Sequence, residues 1–155
     1  MTRFYDLDAA NAAVRELDDI VRLLTEQRAE LVRLRDEVLA AGIGTGDGDG
    51  ATTAVADRSE RAVRPDSPTD APPVDDLRLT QLRMQGLIDQ MAAGVARIDA
   101  MGLTLRDIEH GLVDFPALVS GRQVWLCWQR GEPVIGWWHS LDTGFSGRRP
   151  LAELS

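Results

Sequence analysis

Two classes of binding partner are disfavoured by what this sequence of 155 residues lacks. It contains no lysine, so every cation is an arginine, and its 25 acidic residues outnumber the 17 basic ones to give a formal net charge of −8. A nucleic-acid-binding protein generally needs a basic face, so the charge predicts no nucleic-acid partner. No stretch approaches the roughly 20 apolar residues that a membrane helix needs, and we therefore expect no membrane contact.

The chain is also poor in cysteine, and we expect no signal peptide at its start. A single cysteine cannot form an internal disulfide, which is typical of a reducing compartment. The N-terminal residues lack the basic start and apolar run of a signal peptide. These features, together with a composition rich in Ala, Gly, Asp and Arg, predict a cytoplasmic protein of bacterial origin.

Two segments have the periodicity of long amphipathic helices. Residues 4–41 form the first, with Asp6 as its N-cap, and residues 74–103 form the second, ended by Gly102. Arg28 and Arg35 occupy apolar positions of the first helix, where they either extend to solvent or meet acids of a partner helix. The heptad positions are Leu7, Ala10, Val14, Leu17, Val21, Leu24, Leu31 and Val38 in the first helix, and Leu77, Met84, Met91 and Ile98 in the second.

The segment between the helices has the composition of a disordered linker. Residues 42–73 are rich in Gly, Asp, Thr, Ala and Pro and have few large apolar side chains, so little burial offsets the entropy of ordering them. Two helices of matched period joined by such a linker favour an antiparallel, coiled-coil-like hairpin.

The remaining residues, 104–155, read as a β module that contains all four tryptophans. Runs of Trp and β-branched residues broken by Gly and Pro predict short strands near 103–108, 115–120, 123–128 and 134–140. The predicted fold is a single α+β domain in which the helical hairpin packs on a small Trp-rich antiparallel β-meander.

A three-residue turn after the third strand would set the register of the last hairpin. Cys127 would then face Ile135, and His139 would lie near Gln123, roughly 13 Å from Cys127. That distance argues against a shared zinc ion or a Cys–His nucleophile pair. Both faces of this hairpin are apolar, so the face away from the helices needs a cover: the terminal loop, a ligand or a second subunit.

Several short motifs resemble a bacterial family catalogued as domain of unknown function 2203. They are Phe4 with Ala10 and Asn11, GLVDFP at 111–116, LCW at 126–128, GE at 131–132, WH at 138–139 and GFSGR at 144–148. The family carries no assigned activity, so the resemblance implies a fold and leaves function open. It also implies that the family's recurrent polar positions fall on Asp114, Cys127, Glu132, His139 and Arg148.

The candidate site residues each have a structural interpretation beside the functional one. The candidates for ligand binding are Asp114, Glu132, His139, Arg148 and Trp128, and a divalent metal could be held by His139 with Asp142 or with another subunit. Structurally, Asp114 would cap a turn and Cys127 would be a small buried residue. Glu132 would accept turn N–H groups or pair with Arg130 or Arg148, and Arg148 would hold an anion or clamp Asp114 or Glu132.

Two functions follow from this pattern. The first is a small interaction or assembly module that forms a homodimer or binds another protein. The alternative is a module that binds a small ligand or a divalent metal through the β module, with enzymatic activity left open. The two differ in whether the polar residues of the β module converge on one place.

Overall fold

Two helices and one antiparallel sheet make up the computed structural model, which describes residues 2–43 and 74–155. The helices are α1 (Leu7–Ile43) and α2 (Val74–Ala100), and they pack against each other. The described part of the chain is therefore α+β, as the sequence predicts. Nearly all of the predicted linker, residues 44–73, lies outside the described residues, and its disorder stays a prediction.

The start of α1 shows why the helix begins at Leu7 and not, as predicted, at residue 4. The backbone N–H of Tyr5 donates to the carbonyl oxygen of Pro116 at 2.7 Å, so this segment is already bonded to the sheet. Asp6 then caps the helix, because its Oδ1 accepts the N–H of Ala9 at 2.7 Å. The predicted N-cap is confirmed.

The end of α2 is likewise set by a local feature. Gly102 has a φ of +77°, the left-handed conformation that commonly terminates helices. Its N–H donates to the carbonyl oxygen of Asp99 at 2.9 Å. The predicted stop at Gly102 is confirmed, and the helix proper ends at Ala100.

The buried stripe of α1 follows the predicted period with three differences. Leu7 is 42% exposed, so its assignment to the apolar seam was wrong. Gln27 is buried and donates from Nε2 to Oε1 of Gln90 at 3.1 Å, which satisfies a polar group between the helices. Arg28 and Arg35 meet acids of their own chain, Glu109 at 3.5 Å and the neighbouring Asp36 at 3.2 Å.

The sheet is a meander of five strands in the order β1-β2-β3-β4-β5, each antiparallel to the next. The strands are β1 (Thr104–Asp107), β2 (Leu112–Val119), β3 (Arg122–Gln129), β4 (Trp137–Ser140) and β5 (Arg149–Pro150). The second strand begins three residues before its predicted start at Phe115. The short β5 was not predicted, because a Gly-hinged loop was expected there.

The predicted register of the β3–β4 hairpin was wrong by two residues. His139 lies opposite Trp125 and Cys127 lies opposite Trp137, because residues 130–136 form the connection in place of a three-residue turn. The N–H of Ile135 donates to Oδ1 of Asn11 on α1 at 2.8 Å. The N–H of Ile135 is therefore paired with α1 and not with β3, and β4 begins two residues later, at Trp137.

Alternate residues of the sheet form an inner face that packs on α1. On this face Val113, Phe115 and Trp128 are fully buried, in one cluster with Leu17 and Val21 of α1. The ring of Tyr5 meets Phe115 edge-on, with ring centroids 5.2 Å apart. The inner face is thus the core of the protein, and the opposite outer face carries the polar residues of interest.

Gly111, in the turn before β2, offers a test of this packing. Gly111 has a φ of +66°, and a Cβ there would lie 2.6 Å from Cβ of Arg130 and 3.0 Å from Cγ1 of Val21. Gly121 has a φ of +77° but open space around it. Left-handed strain costs about 1–2 kcal/mol at either position. Only Gly111→Ala adds overpacking, worth about 1–3 kcal/mol.

We therefore expect urea unfolding to show a loss of about 3 kcal/mol for Gly111→Ala and about 1 kcal/mol for the control Gly121→Ala. Equal losses in the two variants would contradict the close approach of the β1–β2 turn to α1.

Candidate functional site

The register of three neighbouring strands brings the polar residues of the outer face together. Asp114 on β2 lies opposite Cys127 on β3, and His139 on β4 lies opposite Trp125, two residues along β3 from Cys127. Side chains on one face of a sheet alternate with those on the other, so all four point away from the helices. Because the register is shifted by an even number of residues, Cys127 and His139 lie on the same face of the observed hairpin, as they do in the predicted one.

Asp114 is the centre of this arrangement. Its Oδ2 accepts a hydrogen bond from Nε of Arg106 at 2.8 Å and lies 2.9 Å from Nε2 of His139. The side chains of Asp114 and His139 are each 3% exposed. The prediction that Asp114 caps a turn was wrong, because the residue lies inside β2 and its carboxylate bonds across the sheet.

A β-bulge positions the guanidinium that meets this carboxylate. Leu105 pairs with Val113 and Asp107 pairs with Leu112, so the pairing shifts at Arg106. Bulges re-aim a side chain relative to a regular strand, and here the guanidinium of Arg106 lies over the ring of Trp125, 5.1 Å from its centroid. Sequence reasoning missed Arg106, because no local signal marks the irregularity.

Both ring nitrogens of His139 have an oxygen partner. Nδ1 lies 2.9 Å from the carbonyl oxygen of Ser140, and Nε2 lies 2.9 Å from Oδ2 of Asp114. These two contacts fix the orientation of the imidazole ring on the outer face of the sheet.

These residues face a cavity of about 260 Å³ that the segment after β4 partly encloses. The size is close to the lower end for small-molecule pockets, roughly 300 Å³. Its lining combines charged groups with apolar ones and consists of Arg106, Leu112, Asp114, Cys127, His139, Leu141, Asp142, Thr143, Gly144 and Phe145. Arg106, Asp114 and His139 thus converge on one concave place.

Cys127 lies in the lining but has the character of a buried thiol. It is 1% exposed, and burial raises the pKa of its thiol to about 11, with the charge of Asp114 acting in the same direction. The 13 Å separation expected between Cys127 and His139 was wrong, since His139 lies opposite Trp125, two residues along β3 from Cys127 and not four. Both ring nitrogens of His139 nevertheless already have partners, so the ring is not placed as a base for this thiol.

A second polar cluster holds the covering segment on the sheet. Oε1 of Glu132 accepts from Nη1 of Arg148 at 3.2 Å, while Oε2 accepts the N–H of Gln129 at 2.9 Å. The guanidinium of Arg148 also lies between two rings, 4.6 Å from the centroid of Trp137 and 4.4 Å from that of Phe145. Both predicted roles of Glu132 are observed, and this cluster places Phe145 at the cavity.

Trp128 and Asp142 were also predicted as site residues, and only Asp142 lines the cavity. Trp128 is fully buried on the inner face and donates from Nε1 to the carbonyl oxygen of Glu132 at 2.9 Å, so it does not line the cavity. Asp142 does line it, together with His139. Within residues 2–43 and 74–155, no group of three or more His, Cys, Asp or Glu side chains could hold a metal ion. A metal on His139 and Asp142 stays a prediction.

Together, the helical pair, the five-stranded meander and the enclosed carboxylate–imidazole pair define an α+β fold with a polar cavity on the outer face of its sheet. The chain belongs to the family described as Uncharacterized conserved protein (DUF2203), whose sequence model matches residues 3–151. This confirms the resemblance seen in the motifs. No curated protein and no solved structure matches the chain. In the part of the chain that the structure covers, no helix has the length and apolar character to span a membrane.

The state of Cys127 gives a direct chemical prediction. With burial and a pKa of about 11, very little thiolate is present at pH 8. We expect the native protein to resist iodoacetamide at pH 8 for hours, and the same protein in 8 M urea to be alkylated within minutes. Rapid alkylation of the folded protein, measured by mass spectrometry, would show that the cavity exposes a reactive thiol.

The contribution of the planar guanidinium of Arg148, as distinct from its charge, can be tested by substitution. Arg148→Lys keeps the positive charge but loses the planar group that lies between Trp137 and Phe145. We expect urea unfolding to show a loss of about 1–2 kcal/mol, close to that of Arg148→Ala. The control Arg149→Lys, at an exposed position, should change stability by less than about 0.5 kcal/mol. Wild-type stability in Arg148→Lys would exclude the stacking role.

Proposed function

We propose that this protein binds a small polar molecule in the cavity on the outer face of its sheet. The observation that carries the proposal is the convergence of a buried carboxylate, an imidazole and a guanidinium on one partly enclosed space. A concave site with a few convergent polar groups is the usual form of a small-molecule pocket.

A purely structural role would not by itself favour charged groups at Asp114 and His139 over apolar ones. Replacing buried ion pairs by apolar residues of similar volume is often neutral or stabilising, by about 1–4 kcal/mol. A sheet that needed only cohesion at Asp114 and His139 could use apolar side chains, as its inner face does at Val113 and Phe115. The polar choice beside an open cavity supports a role in binding.

The proposed roles of the predicted site residues follow from their positions. Asp114 and His139 form the polar floor, and Arg106 and Asp142 lie beside it. Glu132 and Arg148 act indirectly, since they fix the segment that carries Phe145 over the sheet. Of the two functions considered from the sequence, this convergence favours ligand binding over a purely assembling role.

The test is a fragment screen followed by amide chemical shifts of ¹⁵N-labelled protein. We expect small polar fragments to shift the backbone amides of Leu112, Cys127 and Gly144, which line the cavity. Asp114→Asn keeps the side-chain volume but removes the charge, and it should abolish these shifts. The control Asp99→Asn, on the exposed surface of α2, should not. Fragments that bind elsewhere while the cavity amides stay unshifted would contradict the proposal.

Self-association is a second candidate, favoured by one feature of α2. Leu79 and Leu82, three residues apart and therefore neighbours on the helix surface, are 64% and 62% exposed. Exposed apolar pairs of this kind occur at protein interfaces. The segment after β4 already lies over part of the outer face of the sheet, so α2 is the better candidate surface for a second copy.

Sedimentation equilibrium at micromolar concentration tests this second candidate. We expect a homodimer for the wild type and a monomer for the double variant Leu79→Glu, Leu82→Glu. The control Leu118→Glu, at an exposed residue of β2, should remain dimeric. A single species of 17.0 kDa for the wild type would exclude self-association.

A further inference from the structure

We infer that the ligand of the cavity is a small zwitterion, whose carboxylate is bound by Arg106 and whose ammonium group is bound by Asp142. This inference rests on the proposed ligand-binding function and adds the chemical class of the ligand. It depends on three observations: the unused donors of Arg106, the unpaired carboxylate of Asp142 and the charges of both signs in the lining.

Arg106 is held in place yet retains donors. Its Nε bonds to Asp114 and its guanidinium lies over Trp125, so two contacts fix the plane of the group. Among residues 2–43 and 74–155, its two terminal nitrogens donate no hydrogen bond to a protein acceptor. A fixed guanidinium with free N–H groups suits a carboxylate, because the planar fork matches its two oxygens.

Asp142 supplies the opposite charge. It follows β4, is exposed and lines the same cavity as Arg106. Its carboxylate makes no ion pair and no hydrogen bond with any residue that the structure describes. An ammonium group is the natural partner for such a carboxylate.

The lining of the cavity carries charges of both signs. Arg106 contributes one positive charge, and Asp114 and Asp142 contribute two negative ones. A ligand that is only an anion would meet these carboxylates, and a ligand that is only a cation would meet the guanidinium. A zwitterion can place its carboxylate against Arg106 and its ammonium group against Asp142, so that each ligand charge meets an opposite one.

The spacing of the two groups sets the length of the ligand. The guanidinium of Arg106 lies over Trp125 of β3, and Asp142 follows β4, the adjacent strand. Neighbouring strands are about 4.8 Å apart, and Asp142 lies three residues beyond His139, the partner of Trp125, so the ligand charges should be separated by at least about 5 Å. A short methylene chain between them would contact Leu141 and Phe145, and a cavity of about 260 Å³ accommodates such a molecule.

Nuclear magnetic resonance titration of the full chain at pH 7 with three probes tests the ligand class. The probes are 4-aminobutanoate, butanoate, which lacks the ammonium group, and butylammonium, which lacks the carboxylate. We expect 4-aminobutanoate to bind most tightly and each of the other two at least about 10-fold more weakly, as expected for the loss of one charged hydrogen-bonded contact.

Asp142→Asn is the decisive variant, because the Asp142 side chain makes no hydrogen bond or ion pair within the described residues that the substitution would remove. It should weaken 4-aminobutanoate and butylammonium about 10-fold and leave butanoate unchanged. Arg106→Lys should weaken 4-aminobutanoate and butanoate, with its folding checked by thermal unfolding. The controls Asp99→Asn and Arg78→Gln, both on exposed positions of α2, should leave all three affinities unchanged.

Two results would overturn the inference. Equal affinity for butanoate and 4-aminobutanoate, with shifts at the cavity amides, would reject the zwitterion while ligand binding in the cavity stands. Absence of binding by all three probes would also reject it, and the screen with fragments of other charge then decides the proposed function separately.

Discussion

A carboxylate buried in the middle of a strand is the constraint on which the outer half of this protein depends. Asp114 is 2% exposed, and a charge so placed is tolerated only if it is paired and hydrogen-bonded. Its partners come from two other strands, Arg106 from β1 and His139 from β4. One oxygen atom thereby links three strands of the meander, and the bulge in β1 and the orientation of the His139 ring both serve that atom.

Two parts of the chain, α1 and the segment after β4, cover the two faces of the sheet. The inner face is covered by α1, with Tyr5 and Asn11 bonding to Pro116 and Ile135 at its N-terminal end. The outer face is covered by the segment after β4, which Arg148 attaches to the sheet. This second cover is incomplete, and the space it leaves is the cavity above Asp114. The packing that forms the fold therefore also forms the cavity of the candidate site.

The sequence allowed prediction of whatever depends on local pattern. The helices, the Asp6 cap, the stop at Gly102 and the antiparallel meander follow from periodicity and turn chemistry. The β3–β4 register did not follow, because residues 130–136 form a longer connection whose contacts include a tertiary hydrogen bond from Ile135 to Asn11, residues far apart in the chain. Asp114 was interpreted as a turn residue for the same reason: its partners are tertiary. Arg106 was missed because an irregular pairing, without a local signature, directs its side chain.

If the buried Asp114–His139 pair organises the outer face of the sheet, the two residues are energetically coupled in the folded protein. A double-mutant cycle of Asp114→Asn and His139→Gln, measured by urea unfolding, tests it most directly. We predict a coupling free energy of at least about 1.5 kcal/mol, because buried residues in one polar network interact strongly. The control cycle of Asp114→Asn with Asp99→Asn should be additive. Additivity within about 0.5 kcal/mol for the Asp114–His139 cycle would contradict the account.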